Sequence, residues 1–194
     1  MSGIKKTLSR HSPHELHRQW MHIAMGLLHV AILGIGGLGA LRIFTLGLLA
    51  VGIALAVITH HKLVPFLRDA VRHVQRGKET IPGEGALFFV LGIALVAWLF
   101  SNETNVLGAI IALTFQDAFS TLIGIHWGRN RIMERKTLEG AVGGFAVCFI
   151  ALGLIFSWPI ALAAALVATL VELLPLNDSL SIPLAVGIIL HVLV

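Results

Sequence analysis

An aspartate inside an apolar run is the first feature of this sequence that points to chemistry. Asp117 lies within residues 105–125, a stretch long and apolar enough to cross a bilayer, and shares a helical face with Thr114 and Thr121. A carboxylate at membrane depth costs about 2.5 kcal/mol or more, so it normally faces a bundle interior and serves a function. Such an acid could bind magnesium or take the proton from an attacking hydroxyl. A structural bridge between helices and an ion relay are the alternatives.

A basic loop punctuated by glycines follows this apolar run. Thr137 is a predicted N-cap for the next helix, whose N-terminus would hold phosphate together with Lys136. Gly140 and Gly144 also form a small-xxx-small pair, so close helix packing competes as the explanation for the glycines. The candidate phosphate-binding segment contains Gly124, Gly128, Arg129, Arg135, Lys136, Thr137, Glu139 and Gly140.

Two further constellations carry ionisable groups. Glu15, Arg18 and His22 are spaced by three and four residues, which places them on one helical face where they could bind phosphate or position a nucleotide. An interfacial salt bridge is the alternative. Near the other end of the sequence, Glu172 and Asp178 add acids at the predicted depth of Asp117, so a magnesium site with two acidic centres is one interpretation. A polar turn at a helix end is the other.

The composition is that of a membrane protein. Hydrophobic residues make up 57% of the 194 residues and charged residues only 12%, which excludes a soluble single-domain enzyme. We expect an all-α polytopic membrane protein with about seven transmembrane helices, forming one domain over residues 1–194. The predicted spans cover residues 20–41, 42–59, 85–101, 105–125, 140–157, 158–175 and 180–194. Between the first two, Gly34, Gly36 and Gly39 predict a tight interhelical turn.

The distribution of charge predicts the orientation. If seven helices alternate, thirteen of the fourteen basic residues fall on one side and Arg42 alone falls on the other. The positive-inside rule makes the basic side cytoplasmic, so the N-terminus is predicted inside and the C-terminus outside. Because the basic residues are split among membrane-proximal loops, nucleic-acid binding is excluded. The single cysteine, Cys148, can form no intrachain disulfide and no cysteine metal site.

The spacing of these groups resembles that of a known membrane family. The motifs are Glu15-x-x-Arg18-x-x-x-His22; Arg76 and Glu79 followed by Pro82-Gly83-x-Gly85; Asp117-Ala118 through Gly124 and Gly128 to Lys136-Thr137-x-Glu139-Gly140; and Glu172-Leu-Leu-Pro175 followed by Asn177-Asp178. Together they resemble the dolichol kinases, phytol kinases and CTP-dependent diacylglycerol kinases, a family related to the phosphatidate cytidylyltransferases. Gln116 and Ser179 depart from that family, which usually has glycine and asparagine there.

The resemblance implies a reaction and a role for each residue. CTP with magnesium would donate its γ-phosphoryl group to the hydroxyl of a membrane lipid alcohol: polyprenol or dolichol, a phytol-like isoprenoid, or diacylglycerol. Asp117, Lys136 and Glu139 would be catalytic, with Glu139 orienting Lys136 or a metal-bound water. Asp117, Glu172 and Asp178 would bind the metal. The implied nucleotide-binding residues are Arg18, His22, Arg76, Gly128, Arg129, Arg135, Lys136, Thr137 and Gly140.

Two rival functions remain open at this level. A cytidylyltransferase would use the same acids and Lys136 but release pyrophosphate and form a CDP-lipid. A small ion-coupled transporter would use Asp117 and Glu172 as a relay, although the predicted external loops are poor in polar residues and no inverted repeat is visible. We expect a prokaryotic plasma membrane rather than the endoplasmic reticulum, with the active site on the cytoplasmic face. Small-residue helix faces could also serve pairing into a homo-oligomer.

Overall fold

The computed structural model describes residues 13–60, 83–133 and 136–194. In this part of the chain the all-α prediction is confirmed, since the described residues form helices and no β-strand. The six helical elements are α1 (Pro13–His60), α2 (Glu84–Leu99), α3 (Glu103–Trp127), α4 (Leu138–Gly153), α5 (Trp158–Glu172) and α6 (Asp178–Leu193).

The first element, α1, is a hairpin of two helical limbs, residues 13–36 and 38–60. Gly37 between them has φ 69° and ψ −172°, a conformation that glycine adopts at little cost because it has no Cβ. The rings of His29 and Phe44 are 5.4 Å apart, whereas fifteen residues of straight helix would separate them by roughly 22 Å. The chain therefore reverses at Gly37, within the segment where the sequence predicts an interhelical turn.

The hairpin turn is held by the end of α2 and the start of α3. The backbone N–H of Leu38 donates to Oε1 of Glu103 over 2.8 Å. Arg42 donates from Nε to the carbonyl oxygen of Ala97, also over 2.8 Å, and its guanidinium lies over the ring of Trp98. We call this end of the bundle the Glu103 end.

The central helix is α3, which contacts all five other helical elements. Thirteen of its 25 residues are buried, among them the polar residues Thr114, Gln116, Asp117 and Ser120. Because water cannot reach most of these groups, they must find partners inside the protein. The position of α3 thus decides where buried polar contacts form.

Glycines allow α4 to lie directly against α3. A Cβ added at Gly140 would be 2.5 Å from the carbonyl oxygen of Ser120. A Cβ at Gly144 would be 2.8 Å from Ser120 Cβ and 2.9 Å from Gln116 Nε2. All three distances are far below a normal carbon contact, so the packing explanation for these two glycines is supported.

The helix ends bring four polar segments to the opposite end of the bundle, which we call the Lys136 end. There α3 and α5 end, and α4 and α6 begin. Thr137 caps α4 as predicted, since its Oγ1 accepts a hydrogen bond from the N–H of Gly140 over 3.1 Å. Asn177 caps α6 in the same way, through the N–H of Ser179.

Two of the described helices are long and apolar enough to cross a membrane, by length and composition: Glu15–Ile58 within α1, and α3. The other four are apolar but only 15 or 16 residues long, against about 20 for a typical span. The side chains of Trp20, Trp98, Trp127 and Trp158 are all more than half exposed. These features suggest a membrane protein, while the helix lengths do not establish seven spans.

Candidate functional site

A lysine held by the turn between α5 and α6 is the centre of the polar cluster at the Lys136 end. Nζ of Lys136 donates to both carboxylate oxygens of Asp178, at 3.0 Å each, and to the backbone carbonyl of Glu172. The Glu172 carboxylate lies 3.9 Å from the same ammonium. Because Lys136 immediately precedes Thr137, the N-cap of α4, these contacts fix the start of α4 against the α5–α6 turn.

The carboxylate of Glu172 is buried and accepts two hydrogen bonds from α3. Gln116 donates from Nε2 over 2.7 Å, and Ser120 donates from Oγ over 2.5 Å. The two donors are four residues apart, so they lie on one face of α3. A buried carboxylate needs such donors, since an unpaired charge in an apolar interior is costly. The sequence analysis assigned no role to Gln116. The feature that could have indicated one is the spacing of Gln116 and Ser120, two polar residues four apart inside an apolar run.

Asp117 lies on the neighbouring face of α3 and faces α1. Its Oδ2 is 3.6 Å from Nε2 of His22, and both side chains are buried. This distance is longer than a hydrogen bond but within reach of an electrostatic interaction. The ring of His22 also packs edge-on against Phe89, with centroids 4.2 Å apart. The hydroxyl of Thr114 donates to the carbonyl oxygen of Ile110 in its own helix.

Glu15 and Arg18, which with His22 were predicted to share one helical face, form an ion pair on α1. Oε1 of Glu15 accepts hydrogen bonds from Nη2 of Arg18 at 2.5 Å, from Nε of Arg18 at 3.2 Å and from the amide of Gln19 at 3.2 Å. The structure therefore contains the salt bridge that was the alternative to phosphate binding at this place. Two of the three other predicted nucleotide-binding arginines, Arg76 and Arg135, lie outside the described residues.

Glu139 orders the loop between α3 and α4. Its carboxylate accepts hydrogen bonds from the backbone N–H of Arg129 at 3.0 Å, the backbone N–H of Asn130 at 3.2 Å and Nδ2 of Asn130 at 2.9 Å. The structure thus places the carboxylate of Glu139, in the first turn of α4, against this loop, while Asp178 and Glu172 hold Lys136. Hydrogen bonds from its own backbone N–H first, and then from Arg129 and Asn130, lower the pKa of Glu139.

Gly128, another glycine of the predicted phosphate segment, also has a packing role. Gly128 ends α3, and its N–H donates to the carbonyl oxygen of Gly124 over 3.1 Å. A Cβ at Gly128 would lie 2.7 Å from the methyl group of Thr137, so a larger residue would push the loop away from the start of α4. Arg129, the next residue, is exposed at the surface of this loop.

The acids predicted to bind magnesium do not form a preformed site. Within residues 13–60, 83–133 and 136–194, no group of three or more His, Cys, Asp or Glu side chains could hold a metal ion. Asp117 faces His22, whereas Asp178 is bonded to Lys136. A divalent ion at a site of this kind would need further oxygen ligands, such as those of nucleotide phosphates. Metal binding by Asp117, Glu172 and Asp178 stays a prediction.

Comparisons with known proteins give two distant relatives. The chain is 27% identical over 184 residues to an uncharacterized protein of Methanocaldococcus jannaschii, covering 91% of this chain and 93% of that protein. It is 24% identical over 160 residues to CTP-dependent diacylglycerol kinase 1 of Schizosaccharomyces pombe, covering 78% of this chain and 73% of the kinase. This chain is distantly similar to a lipid kinase. No family model matches it, and no solved structure does.

Proposed function

We propose that this protein is a CTP-dependent kinase that phosphorylates the hydroxyl group of a membrane lipid alcohol. The observation that carries the proposal is the position of Lys136: its ammonium lies at the start of α4 between the buried Glu172 and the partly exposed Asp178, in a largely apolar bundle. The similarity to CTP-dependent diacylglycerol kinase 1 supports CTP as the donor and a lipid as the acceptor.

The nucleotide would bind at the Lys136 end. The ammonium of Lys136 and the partial positive charge of the N-terminus of α4 both favour phosphate oxygens. Arg129 adds a positive charge in the neighbouring loop, and we propose that Gly128, Thr137 and Gly140 keep that loop close to the helix start. Arg18, His22, Arg76 and Arg135 are proposed as further nucleotide contacts on the family resemblance. Phosphoryl transfer depends mainly on such positioning and charge stabilisation.

The lipid hydroxyl would approach Asp117. This carboxylate is buried near His22 and could accept the proton as the hydroxyl oxygen attacks the γ-phosphorus. The new P–O bond to the lipid would form as the bond to the leaving CDP breaks. Magnesium would enter as part of the CTP complex, since the described side chains do not assemble a site for it alone.

In the proposed membrane arrangement, the two limbs of α1 and the five other helices make seven spans. The N-terminus and the Lys136 end would face the cytoplasm of a prokaryotic cell. The basic loops between predicted spans support this orientation, because Arg42 alone falls on the other side. The lipid tail would stay among the helices while its hydroxyl reaches the site laterally from the inner leaflet.

The test is an assay of the purified protein in detergent with γ-labelled CTP, magnesium and a panel of polyprenol, phytol, geranylgeraniol, diacylglycerol and phosphatidate. We expect a phosphorylated alcohol and CDP, with the rate reduced at least about a hundredfold by Lys136→Ala and by Asp117→Asn. Glu103→Gln is the matched control for Asp117→Asn. It also neutralises a carboxylate of α3, but at the Glu103 end of the bundle.

Other products would change the assignment. A CDP-lipid with release of pyrophosphate would identify a cytidylyltransferase instead. If the folded protein forms neither product with any acceptor, the kinase proposal is overturned, and ion-coupled transport becomes the function to measure.

A further inference from the structure

Two side chains on α3 donate hydrogen bonds to Glu172, one of the two acids that contact Lys136. We infer that Gln116 and Ser120 are positioning residues: they fix Glu172 at the end of α5 and thereby place the Lys136 ammonium where nucleotide phosphates bind. The contacts of Lys136 with Glu172 and Asp178 are observed in the structure, whereas its contact with phosphate rests on the proposed function. Gln116 occupies a position where the resembling family usually has glycine, so the device belongs to this chain.

Glu172 is anchored by α3. Both of its carboxylate oxygens are engaged from α3, one by Gln116 at 2.7 Å and the other by Ser120 at 2.5 Å. Gln116 is 0% exposed, Ser120 6% and Glu172 4%. Two charge-assisted hydrogen bonds in a dry environment restrict the carboxylate strongly, because water cannot replace either donor.

Glu172 in turn contacts Lys136. The backbone carbonyl of Glu172 accepts a hydrogen bond from the Lys136 ammonium, and the carboxylate lies 3.9 Å from it. Asp178 completes the contacts of the ammonium from the first residue of α6. Since only five residues separate Glu172 from Asp178, a shift at the end of α5 would also move the partner that α6 supplies.

Gly144 of α4 leaves space for the side chain of Gln116. A Cβ at Gly144 would lie 2.9 Å from Gln116 Nε2 and 3.0 Å from the Gln116 carbonyl oxygen. The glycine of α4 therefore admits the long amide side chain that reaches across to α5. Gly144 and Gln116 fit each other sterically, and the polar end of Gln116 is directed to Glu172.

Two readouts separate positioning from a general loss of structure. The first needs no enzymatic activity: the labelling rate of the Lys136 amine by a small amine-reactive reagent, followed by mass spectrometry. Gln116→Leu keeps the volume but removes the donor, and we expect labelling of Lys136 to rise about fivefold as its contacts loosen. Ser120→Ala is the milder variant and should produce a smaller rise. Asn105→Leu, which replaces another buried amide on α3 near the Glu103 end, should leave labelling unchanged.

The second readout is kinetic. In Gln116→Leu the KM for CTP should rise about tenfold, while the KM for the lipid alcohol stays at the wild-type value. A structural defect alone would instead lower kcat through the fraction of folded enzyme and leave both KM values unchanged. Adding Gln116→Leu to Glu172→Gln should have little further effect, because both changes act through the same carboxylate.

The outcomes distinguish this inference from the proposed function. Unchanged Lys136 labelling in both Gln116→Leu and Ser120→Ala overturns the positioning role, whether or not the protein phosphorylates lipids. Increased labelling in the variants, together with a wild-type protein that phosphorylates no lipid, would retain the positioning role and reject the kinase proposal. Increased labelling with equal changes in the KM values for CTP and lipid would also overturn the link to phosphate binding.

Discussion

At the residue scale, burial decides how much each carboxylate contributes to the stability of the folded protein. Glu172 and Asp178 both approach Lys136, but the side chain of Glu172 is 6% exposed and that of Asp178 is 24% exposed. Glu172 also satisfies two buried donors of α3. Removing a buried acceptor leaves those donors unpaired, whereas removing a more exposed partner lets water take its place.

We therefore expect Glu172→Ala to lower the free energy of unfolding by about 3 kcal/mol. Asp178→Ala should cost about 1 kcal/mol or less, because solvent screens that pair. Thermal unfolding in detergent, followed by circular dichroism, measures both changes. Equal losses of stability in the two variants would contradict the dependence on burial.

Glu139 gives a prediction on pH. It precedes the predicted span 140–157, and its pKa is lowered in the folded protein by the N–H donors around it. The order that it gives to the loop should be complete above its unfolded pKa of about 4.5 and should disappear as the pH falls through the lowered folded value.

Hydrogen exchange at the amides of Arg129 and Asn130, corrected for intrinsic rates, tests this dependence. We expect protection at neutral pH and its loss in acid. Glu139→Gln should reduce protection at neutral pH and flatten the pH profile. Protection that is equal in the variant and the wild type would show that another contact orders the loop.

At the scale of the elements, α1 is the one whose path depends on a single residue. Gly37 has φ 69°, and a Cβ there would lie 2.9 Å from Oε1 of Glu103, which accepts the hydrogen bond of Leu38. The conformation of the turn and its anchor are therefore coupled. Gly39 is two residues further along, and a Cβ there would meet nothing within 4 Å.

Gly37→Ala should lower the free energy of unfolding by about 1–2 kcal/mol, the cost of placing an L-residue in the left-handed region. Gly39→Ala should be neutral or stabilise the protein by about 0.5 kcal/mol, because it reduces the entropy of the unfolded chain. The comparison uses denaturant or thermal unfolding of the two variants side by side. The turn geometry would be contradicted if Gly39→Ala proved the more damaging change.

At the scale of the whole molecule, the cluster around Lys136 lies at one end of the bundle, and many large apolar side chains are exposed along its surface. Ile35 near the hairpin turn is 91% exposed, and Ile132 in the loop before α4 is 45% exposed. These two isoleucines mark the Glu103 end and the Lys136 end. The orientation of the bundle decides whether nucleotide from the cytoplasm can reach Lys136.

Ile35→Cys and Ile132→Cys test the proposed orientation as a matched pair. The native Cys148 is buried, so the background reaction with a thiol reagent should be low. In intact cells, a membrane-impermeant maleimide should label Ile35→Cys and label Ile132→Cys only after the cells are opened. The opposite pattern would place the Lys136 end outside and exclude cytoplasmic CTP as its substrate.

The sequence by itself determined the class of fold and several local features. Its apolar runs predicted an all-helical protein, Thr137 was predicted to cap α4, and the glycines near position 37 indicated a reversal of the chain. These features follow from local rules: apolar segments favour helices that bury their backbone polar groups, and caps and positive φ angles need particular residue types.

Only the tertiary structure decided which polar groups meet. Periodicity places Gln116 and Ser120 on one face of α3, but it cannot say that this face points at Glu172, more than fifty residues away. For the same reason the sequence did not indicate that the Glu139 carboxylate binds the loop before α4; its role in orienting Lys136 or a metal-bound water stays a prediction. The physical reason is that a helix repeats its faces locally, while the rotation of each helix in the bundle is set by packing against all its neighbours.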